Sequence, residues 1–376
     1  MSSAENFIKQ RLDDRHKAGS YRSLKPENGL LDFCSNDYLG FARSPILKTN
    51  IAGELATHKD INGATGSRLI SGNLAYTEQL ERDIATQFKA NAALLFNSGY
   101  DANVGLLSSL PQRGDTIIAD ELIHASIIDG SRLSHANRYT FKHNDLEALE
   151  AKLRNAKGTC YVVVESIYSM DGDTPPLAQM VDLTERYGAN LIVDEAHATG
   201  LYDTGVVTQL NIEQRVFGRI VTFGKAFGGH GAVVLGSNGL REYLINFARS
   251  LIYTTAAPLH QLAAIKKACE LLPQSENEIN KLRKNILLFK QLFSALDKQS
   301  SRLIGSDSAI QCVLLHNNKR ARQASAYLQA EGFDVRAILS PTVAEGSERI
   351  RICLHAFNTV DEITGLVKHI NILINA

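Results

Sequence analysis

Three apolar runs of the sequence end in side chains that can carry out acid–base or covalent chemistry. One run ends at Asp194 with His197 three residues later, a second at Thr222 with Lys225 three residues later, and a third at Glu165. In an open α/β sheet, ligands bind beyond the carboxyl ends of the parallel strands, so these positions are the first candidates for a site. Taken singly, each has a structural explanation, because a strand-terminal Asp often caps a helix and a lone Lys is usually solvated.

The combination of an amine, a carboxylate and a serine–glycine turn predicts one cofactor chemistry. Lys225 follows Gly224 in apolar surroundings, where desolvation lowers the pKa of an amine and favours Schiff-base formation. A carboxylate such as Asp194 can hold a pyridinium nitrogen protonated. Ser98-Gly99 at the start of a helix would present unpaired backbone N–H groups to a phosphate. Aldehyde, ring nitrogen and phosphate are the three handles of pyridoxal 5′-phosphate, whereas the glycine motifs of nucleotide-binding loops do not occur.

The pattern between about residues 75 and 240 predicts the scaffold for these side chains. Short apolar or β-branched runs alternate with helix-like segments, as in βαβ units with a mostly parallel sheet. The runs are apolar at consecutive positions, which indicates strands covered on both faces. From Tyr76 to Lys89, apolar residues recur every four positions, which gives a helix one buried face. The six predicted strands are Ala92–Phe96, Thr116–Ala119, Tyr161–Val164, Leu191–Val193, Ile220–Phe223 and Ala232–Leu235.

Beyond about residue 240 the pattern changes to that of a smaller α+β domain. A long amphipathic helix is predicted from Ile279 to Leu296, and a last helix from about Asp361. The strands predicted here lie near Gln311–Leu315, Asp334–Ile338 and Arg349–Leu354. The predicted parts are an N-terminal segment packing with the small domain (1–50), a large cofactor-binding domain (51–250), and a linking helix with the small C-terminal domain (251–376).

Composition and charge disfavour several classes of function. The 376 residues contain 40 Lys+Arg and 40 Asp+Glu, so no net charge draws the chain toward nucleic acid or an anionic membrane. The five cysteines are scattered and the eleven histidines form no paired ligand motif, so no metal site is expected. No apolar stretch reaches the length of a membrane span, and the charged start is unlike a signal peptide. We therefore expect a cytoplasmic protein without nucleic-acid or membrane partners.

Nine short stretches, in order along the chain, resemble those of the α-oxoamine synthases, a family of fold-type I enzymes that use pyridoxal 5′-phosphate. The stretches are Ser35–Gly40, Gly63–Gly72, Asn97–Tyr100, Ile123–Ser126, Ser169–Asp173, Val193–Gly200, Thr222–Gly228, Ile252–Thr255 and Arg349–Ile352. The resemblance implies an α/β fold, with a mostly parallel seven-stranded sheet in the large domain and a smaller α+β C-terminal domain. It is nearest to the biotin-pathway branch of the family, in which L-alanine condenses with a pimeloyl thioester and carbon dioxide is released.

The resemblance also implies roles for residues around the cofactor. Lys225 would form the Schiff base, Asp194 would hold the ring nitrogen, and His197 would bond to the ring hydroxyl. With His124, which would stack on the ring, these are the implied catalytic residues; Ser169 would touch the oxygen-bearing side of the ring. The implied phosphate ligands are Ser98, Gly99, Tyr100 and Thr222, with Thr254 or Thr255 from the second subunit of a homodimer.

Two arginines are implied to bind substrate, in a site that takes L-alanine and a thioester of coenzyme A or acyl carrier protein. Arg351 resembles the arginine that grips the amino-acid carboxylate through a two-pronged contact, which lysine cannot supply. Arg22 occupies the position where an N-terminal arginine meets substrate, and His124 would face the substrate as well. A threonine common shortly after the C-terminal arginine is Cys353 here, which removes a hydroxyl contact.

Three other functions share parts of this pattern. Another α-oxoamine synthase would join glycine or serine to a different acyl-CoA. An aminotransferase would share Asp194 and Lys225 but would release a keto acid and no carbon dioxide. A non-catalytic scaffold subunit would have lost the Schiff-base lysine, and Lys225 is present.

Overall fold

The computed structural model describes residues 2–24, 26, 29–58, 62–296 and 302–375. The helices are α1 (Ser3–Lys17), α2 (Pro45–Ala56), α3 (Ala75–Gln87), α4 (Gly99–Ser109), α5 (Ala125–Leu133), α6 (Leu146–Leu153), α7 (Leu177–Arg186), α8 (Val206–Gln209), α9 (Asn238–Phe247), α10 (Arg249–Ile252), α11 (Leu259–Leu271), α12 (Glu276–Leu296), α13 (Asn318–Ala330) and α14 (Val360–Asn375). The strands are β1 (Leu31–Asp32), β2 (Ala92–Phe96), β3 (Thr116–Asp120), β4 (Asn137–Phe141), β5 (Cys160–Glu165), β6 (Asn190–Asp194), β7 (Gly218–Thr222), β8 (Ala232–Gly236), β9 (Ile310–Leu314), β10 (Phe333–Asp334), β11 (Arg336–Ile338) and β12 (Arg349–Cys353). Among the described residues, no helix is long and apolar enough to cross a bilayer.

A seven-stranded sheet forms the centre of the larger of two units, which comprises residues 36–169 and 173–283. The strand order is β2-β8-β7-β6-β5-β3-β4. The strands from β7 to β4 run parallel, whereas β8 is antiparallel to both of its neighbours. All six predicted strands are present in this sheet. The predicted α/β fold with a mostly parallel seven-stranded sheet is therefore confirmed.

The seventh strand, β4, has no counterpart among the predicted strands. It lies at the edge of the sheet, and four of its five residues are exposed. Every residue of β3 and β5, in contrast, is buried. Because an edge strand is less covered than a central one, its sequence lacks the continuous apolar run by which buried parallel strands are detected.

Alternation along the central strands brings two carboxyl groups onto one face of this sheet. Val163 on β5 and Ile192 on β6 belong to one buried apolar cluster, to which α4 and α5 also contribute side chains. Successive residues of a strand point to opposite faces, so Glu165 and Asp194, each two positions further on, point to the side of that cluster. The apolar row on each strand therefore ends in a carboxyl group on the face that α4 and α5 cover.

The smaller unit groups Met1–Ser35, Met170–Gly172 and Lys284–Ala376. Its three-stranded antiparallel sheet has the order β11-β12-β9, and β1 pairs in parallel with β10. The predicted strand over 334–338 is divided, because β10 pairs with β1 while β11 pairs with β12. On the last helix, α14, the predicted inward side chains are all fully buried, namely Ile363, Leu366 and Ile370.

The bounds of the two units differ from the predicted segments. Residues 36–50 and 251–283 lie in the larger unit. Helix packing accounts for this, since α2 packs along α11. The two helices are also joined by ion pairs, because Glu54 on α2 accepts from Lys266 at 2.6 Å and from Lys267 at 2.8 Å. These contacts tie both flanking segments to the large sheet's unit.

A partly buried ion cluster stabilises the turn after β4. Nδ1 of His143 lies 2.9 Å from Oδ1 of Asp120, and Nε2 lies 2.8 Å from Oδ2 of Asp173. With a carboxylate at each ring nitrogen, the imidazole is held in its doubly protonated form. Burial alone would lower the pKa of His143, but the hydrogen bonds to Asp120 and Asp173 outweigh it and raise the pKa to about 9.

This cluster predicts a loss of stability at alkaline pH. The pKa of His143 in the folded chain lies above that of a free imidazole, so its contribution is complete below about pH 6.5 and is lost as pH rises through about 9. His143→Gln should lower the free energy of unfolding by roughly 2 kcal/mol at pH 6 and by much less at pH 10. Unfolding midpoints across this pH range test the prediction, with the exposed His135→Gln as control. A difference between His143→Gln and the wild type that stays constant with pH would contradict it.

Candidate active site

Asp194, the last residue of β6, is 5% exposed and is held by two donors. Its Oδ1 accepts from the backbone N–H of Ala196 at 2.9 Å, and its Oδ2 accepts from Nδ2 of Asn103 at 2.8 Å. The same amide nitrogen of Asn103 donates to Oγ of Ser126 at 3.0 Å. These bonds fix the carboxylate in one orientation, in which it can pair with a protonated ring nitrogen.

Lys225 follows β7, and its amine lies at one end of a chain of hydrogen bonds. Nζ of Lys225 is 3.0 Å from Nε2 of His197, and Nδ1 of His197 is 2.7 Å from the hydroxyl of Tyr38. The Tyr38 hydroxyl donates to Oδ1 of Asn36 at 3.1 Å. Because that hydroxyl has one proton, His197 donates from Nδ1 and accepts at Nε2, which faces the lysine. The chain thus sets the tautomer of His197 and places an acceptor beside the amine.

The loop that carries Lys225 is closed by backbone hydrogen bonds. Phe223 bonds to two glycines that precede β8, since its N–H donates to Gly231 O at 2.9 Å and its C=O accepts from Gly229 N at 2.7 Å. Gly228 has φ +63°, and a Cβ there would collide with the backbone of Ala42. Glycine is therefore required at this position, and the closed loop holds the lysine at the strand end.

His124 precedes α5 and caps its first turn. Nδ1 of His124 accepts from the backbone N–H of Ser126 at 3.2 Å and lies 2.8 Å from Oγ of Ser126. Burial lowers the pKa of His124, and the positive charge of Lys225 adds to this effect while Asp194 opposes it. The imidazole is therefore a neutral ring at physiological pH, which suits a flat surface for stacking.

The start of α4 forms a cradle for an anion. Ser98 caps this helix, because its hydroxyl accepts from Asp101 N at 3.1 Å. A Cβ at Gly99 would lie 2.6 Å from Cγ2 of Thr222, so only glycine lets the helix start come this close to the end of β7. Oγ1 of Thr222 is buried and has no hydrogen-bond partner among the described residues. The Tyr100 hydroxyl instead donates to Oδ2 of Asp129 at 2.5 Å.

One pocket, of about 260 Å³, brings these groups together. Its size is near the lower end of small-molecule sites, ~300–1,000 Å³. The predicted site residues that line it are Ser98, Gly99, Tyr100, His124, Asp194, His197, Thr222 and Lys225. Asn36, Asn103, Ser126 and Glu165 line it as well. The strand ends and the starts of α4 and α5 therefore converge on one site, as the topology of open α/β sheets leads us to expect.

Five other predicted site residues do not line this pocket. Ser169 lies next to it, where its N–H donates to Oε2 of Glu165 at 3.3 Å. Thr254 and Thr255 line a separate small cavity, and each accepts from the amide of Asn97, at 3.2 and 2.9 Å. Arg22 and Arg351 belong to the smaller unit.

The two arginines make different contacts within the smaller unit. Nη2 of Arg22 donates to Oγ1 of Thr342 at 3.2 Å in an exposed position. Arg351 is nearly buried on β12, and its Nη1 contacts Sγ of Cys353 at 3.0 Å. The residue that departs from the family pattern thus lies directly against the predicted carboxylate-binding arginine.

Sequence reasoning assigned no role to three residues of the site. Asn103 orients Asp194, Tyr38 orients His197, and Glu165 lies between Ser169 and the pocket. For Glu165, its position at a strand end indicates that it lies near the site. Tyr38 lies in a stretch that resembles the family, but neither it nor Asn103 has a spacing that predicts a contact with a residue 159 or 91 positions away.

The residues of the pocket fit pyridoxal 5′-phosphate. Lys225 supplies an amine for the aldehyde, and Asp194 supplies a fixed carboxylate for the ring nitrogen. The helix start at Gly99 provides donors for a phosphate, together with Oγ1 of Thr222, which no described residue bonds. His124 provides a neutral ring. Each handle of the cofactor thus meets a group of matching chemistry.

Comparisons with known proteins identify the family of the chain. The family model for aminotransferase class I and II matches residues 28–370. A curated protein of Emericella nidulans named 8-amino-7-oxononanoate synthase is 42% identical over 363 residues, which cover 90% of this chain and 88% of that protein.

Solved structures extend the comparison to the fold. The crystal structure of 8-amino-7-oxononanoate synthase from Francisella tularensis has a TM-score of 0.79 at 30% identity and covers 93% of this chain and 99% of its own. A serine palmitoyltransferase variant solved with pyridoxal phosphate has a TM-score of 0.89 at 25% identity and covers 99% and 98%. The chain belongs to the aminotransferase class I and II family and, among its pyridoxal-phosphate enzymes of fold type I, to the α-oxoamine synthases.

Proposed function

We propose that this enzyme condenses L-alanine with a pimeloyl thioester to give 8-amino-7-oxononanoate, carbon dioxide and free thiol in biotin biosynthesis. The observation that carries the proposal is one pocket with Lys225, Asp194 and His124 in a chain 42% identical to an 8-amino-7-oxononanoate synthase. The acyl group is carried by coenzyme A or by acyl carrier protein.

Asp194 and its partners set the electronic character of the site. Pyridoxal 5′-phosphate, when bound, supplies an electron sink for the negative charge that develops at Cα of the amino acid. Asp194 holds the proton on the ring nitrogen, because Ala196 and Asn103 keep its carboxylate oriented and ionic hydrogen bonds are stronger than neutral ones. His124, which lines the pocket, would cover one face of the ring and keep water from it.

Lys225 moves the proton of the reaction. Its Nζ takes the proton from Cα of L-alanine, and Nε2 of His197 at 3.0 Å orients the amine for that step. Bond formation between Cα and the thioester carbonyl expels the thiolate, which takes a proton from solvent. After carbon dioxide is lost, Nζ of Lys225 returns its proton to Cα.

In the smaller unit, Arg351 is proposed to grip the substrate carboxylate, with Arg22 as a second contact. Arg351 presents a planar fork suited to a carboxylate, and Sγ of Cys353 holds one prong at 3.0 Å. A thiol is a weak hydrogen-bond acceptor, so it orients the guanidinium without competing strongly with a carboxylate for it.

The active enzyme is proposed to be a homodimer with its sites at the subunit interface. The segment Arg68–Gly72 packs on α10, and two large apolar side chains here, one in that segment and one directly after α10, are exposed in the single chain. Ile70 is 86% exposed and Tyr253 is 71% exposed. Thr254 and Thr255 adjoin this apolar surface, which supports their proposed contact with the phosphate of the other subunit.

A panel of substrates tests the proposed reaction. Purified enzyme with pyridoxal phosphate is assayed with alanine, glycine and serine against pimeloyl and palmitoyl thioesters. Alanine with a pimeloyl thioester should give the highest kcat/KM, with carbon dioxide and free thiol released in equal amounts. A higher kcat/KM with glycine or serine would identify another α-oxoamine synthase. Release of a keto acid without carbon dioxide would identify an aminotransferase. The absence of turnover with every pair of amino acid and thioester would identify a scaffold subunit.

Removal of the Asn103 amide is expected to weaken cofactor binding. A hydrogen bond to a charged group contributes ~1.5–3 kcal/mol, so Asn103→Ala should raise the Kd for pyridoxal phosphate by about 10-fold or more. The Kd is measured by titrating the cofactor-free protein. Asn155→Ala is the control, because the Asn155 amide bonds on the surface to Ala151 O. Equal Kd values for Asn103→Ala and the wild type would refute the role of Asn103.

A further inference from the structure

Glu165 is a buried carboxyl group of the pocket to which the proposed reaction assigns no role. It ends β5, is 3% exposed, and is paired in register with Asp194 on β6. Its Oε2 accepts from Ser169 N at 3.3 Å. Its Oε1 is buried and has no hydrogen-bond partner among the described residues. Glu165 therefore holds the segment that carries Ser169, a predicted site residue, while its carboxyl group lines the pocket.

Glu195, the residue directly after Asp194, shows how a purely structural glutamate is held in this protein. Glu195 is fully buried, and its Oε2 lies 2.6 Å from Nη2 of Arg219 while its Oε1 accepts from Val207 N at 2.9 Å. Both oxygens and the charge of Glu195 are thus satisfied inside the chain. The carboxyl of Glu165 lines the pocket and retains an unsatisfied oxygen, which fits a group that meets a ligand.

The charged groups around Glu165 determine its protonation. Asp194 on β6 repels a negative charge, Lys225 after β7 favours one, and Tyr168 on its own segment is neutral. A buried carboxylate without a paired cation is unfavourable in free energy, so the neutral acid is the more stable state. Burial, with a further contribution from Asp194, raises the pKa of Glu165 to about 8.

We propose that Glu165 is a positioning residue that enters the site as a neutral carboxylic acid. Through Oε2 it fixes the main chain at Ser169. Through the other oxygen it offers an uncharged hydrogen-bond partner to the bound ligand. A protonated ring nitrogen would then face a single carboxylate, that of Asp194. The inference rests on the cofactor of the proposed function, but not on which amino acid or thioester reacts.

Deprotonation of Glu165 would place a second negative charge beside Asp194. It would also remove the uncharged hydrogen-bond partner that Glu165 offers to the ligand. The affinity for pyridoxal phosphate should therefore fall as pH rises through about 8 in a way that depends on Glu165. Glu165→Gln copies the neutral acid in size and hydrogen bonding but cannot ionise. Glu165→Leu removes the bond to the backbone N–H of Ser169. Glu147→Gln, at an exposed position on α6, is the matched control.

The test is the Kd of the cofactor-free proteins for pyridoxal phosphate at pH 7 and pH 9.5. At pH 7, Glu165→Gln should bind within about threefold of the wild type, and Glu165→Leu about 10-fold or more weakly. The rise in Kd between the two pH values should be at least fivefold larger in the wild type and in Glu147→Gln than in Glu165→Gln. The proposal is overturned if Glu165→Gln shows the wild-type rise, or if it binds as weakly as Glu165→Leu at pH 7.

The outcomes separate this inference from the function on which it rests. A wild-type protein that binds no pyridoxal phosphate contradicts the proposed function itself. A wild type that binds it, with the same pH response in Glu165→Gln, contradicts only the role of Glu165. Should Glu165→Leu fail to fold, the comparison of the wild type, Glu165→Gln and Glu147→Gln still decides.

Discussion

Lys225→Ala is expected to lower turnover by a factor of at least about 10³, because the variant loses both the covalent attachment point and the base that takes the Cα proton. The protein should still fold and bind the cofactor, since the helix start at Gly99, Thr222 and Asp194 remain in place. Single-turnover measurement of Cα–H exchange in alanine isolates the affected step from substrate binding and product release.

Two further variants sharpen this result. Lys225→Arg keeps a positive charge but, because a guanidinium does not release its proton, it should be as inactive as Lys225→Ala. Lys48→Ala, at an exposed position on α2, is the control and should keep wild-type turnover. Near wild-type exchange in Lys225→Ala would exclude this lysine as the base.

Asp194→Asn is expected to slow Cα–H exchange by about 10²–10³-fold. Removing one partner of a buried ion pair costs ~3–5 kcal/mol, and here the loss falls on the state in which the ring nitrogen is protonated. The amide would also place its own N–H₂ against the donor of Asn103, which now bonds to the carboxylate. Cofactor binding should weaken at the same time, because both effects act on the bound state.

The measurement compares alanine exchange and cofactor absorbance in Asp194→Asn and the wild type. Asp182→Asn is the matched control, since Asp182 lies on α7 with 61% of its side chain exposed. Unchanged exchange in Asp194→Asn would show that this carboxylate does not set the protonation of the ring.

The fold of the larger unit was predictable because its central strands are covered on both faces. Each of the six predicted strands is apolar over consecutive residues. A parallel strand covered on both faces requires this pattern. β4 was not predicted, because the sequence of an edge strand with exposed residues resembles that of a loop. The division of the strand at 333–338 was not predicted, because no sequence pattern indicates that its two halves pair in different sheets.

The site was predictable as far as strand ends and local turns determine it. Asp194 and Lys225 follow parallel strands that are adjacent in the sheet, so topology alone brings them to one edge. Asn103 and Tyr38 reach the site through the packing of α4 and of the segment before α2, and no local pattern encodes those contacts. The state of Glu165 depends on burial and on Asp194, which become visible only when the strands are in register.

Reduction of the cofactor-loaded protein with borohydride, followed by peptide mass spectrometry, tests the role of Lys225 most directly. The reduction makes the link between lysine and cofactor permanent, so the attachment point is read without assuming any substrate. The added mass should appear on the peptide that contains Lys225 and should be missing in Lys225→Ala. Cofactor mass on a different lysine, or equal labelling of Lys225→Ala and the wild type, would contradict the assignment of Lys225.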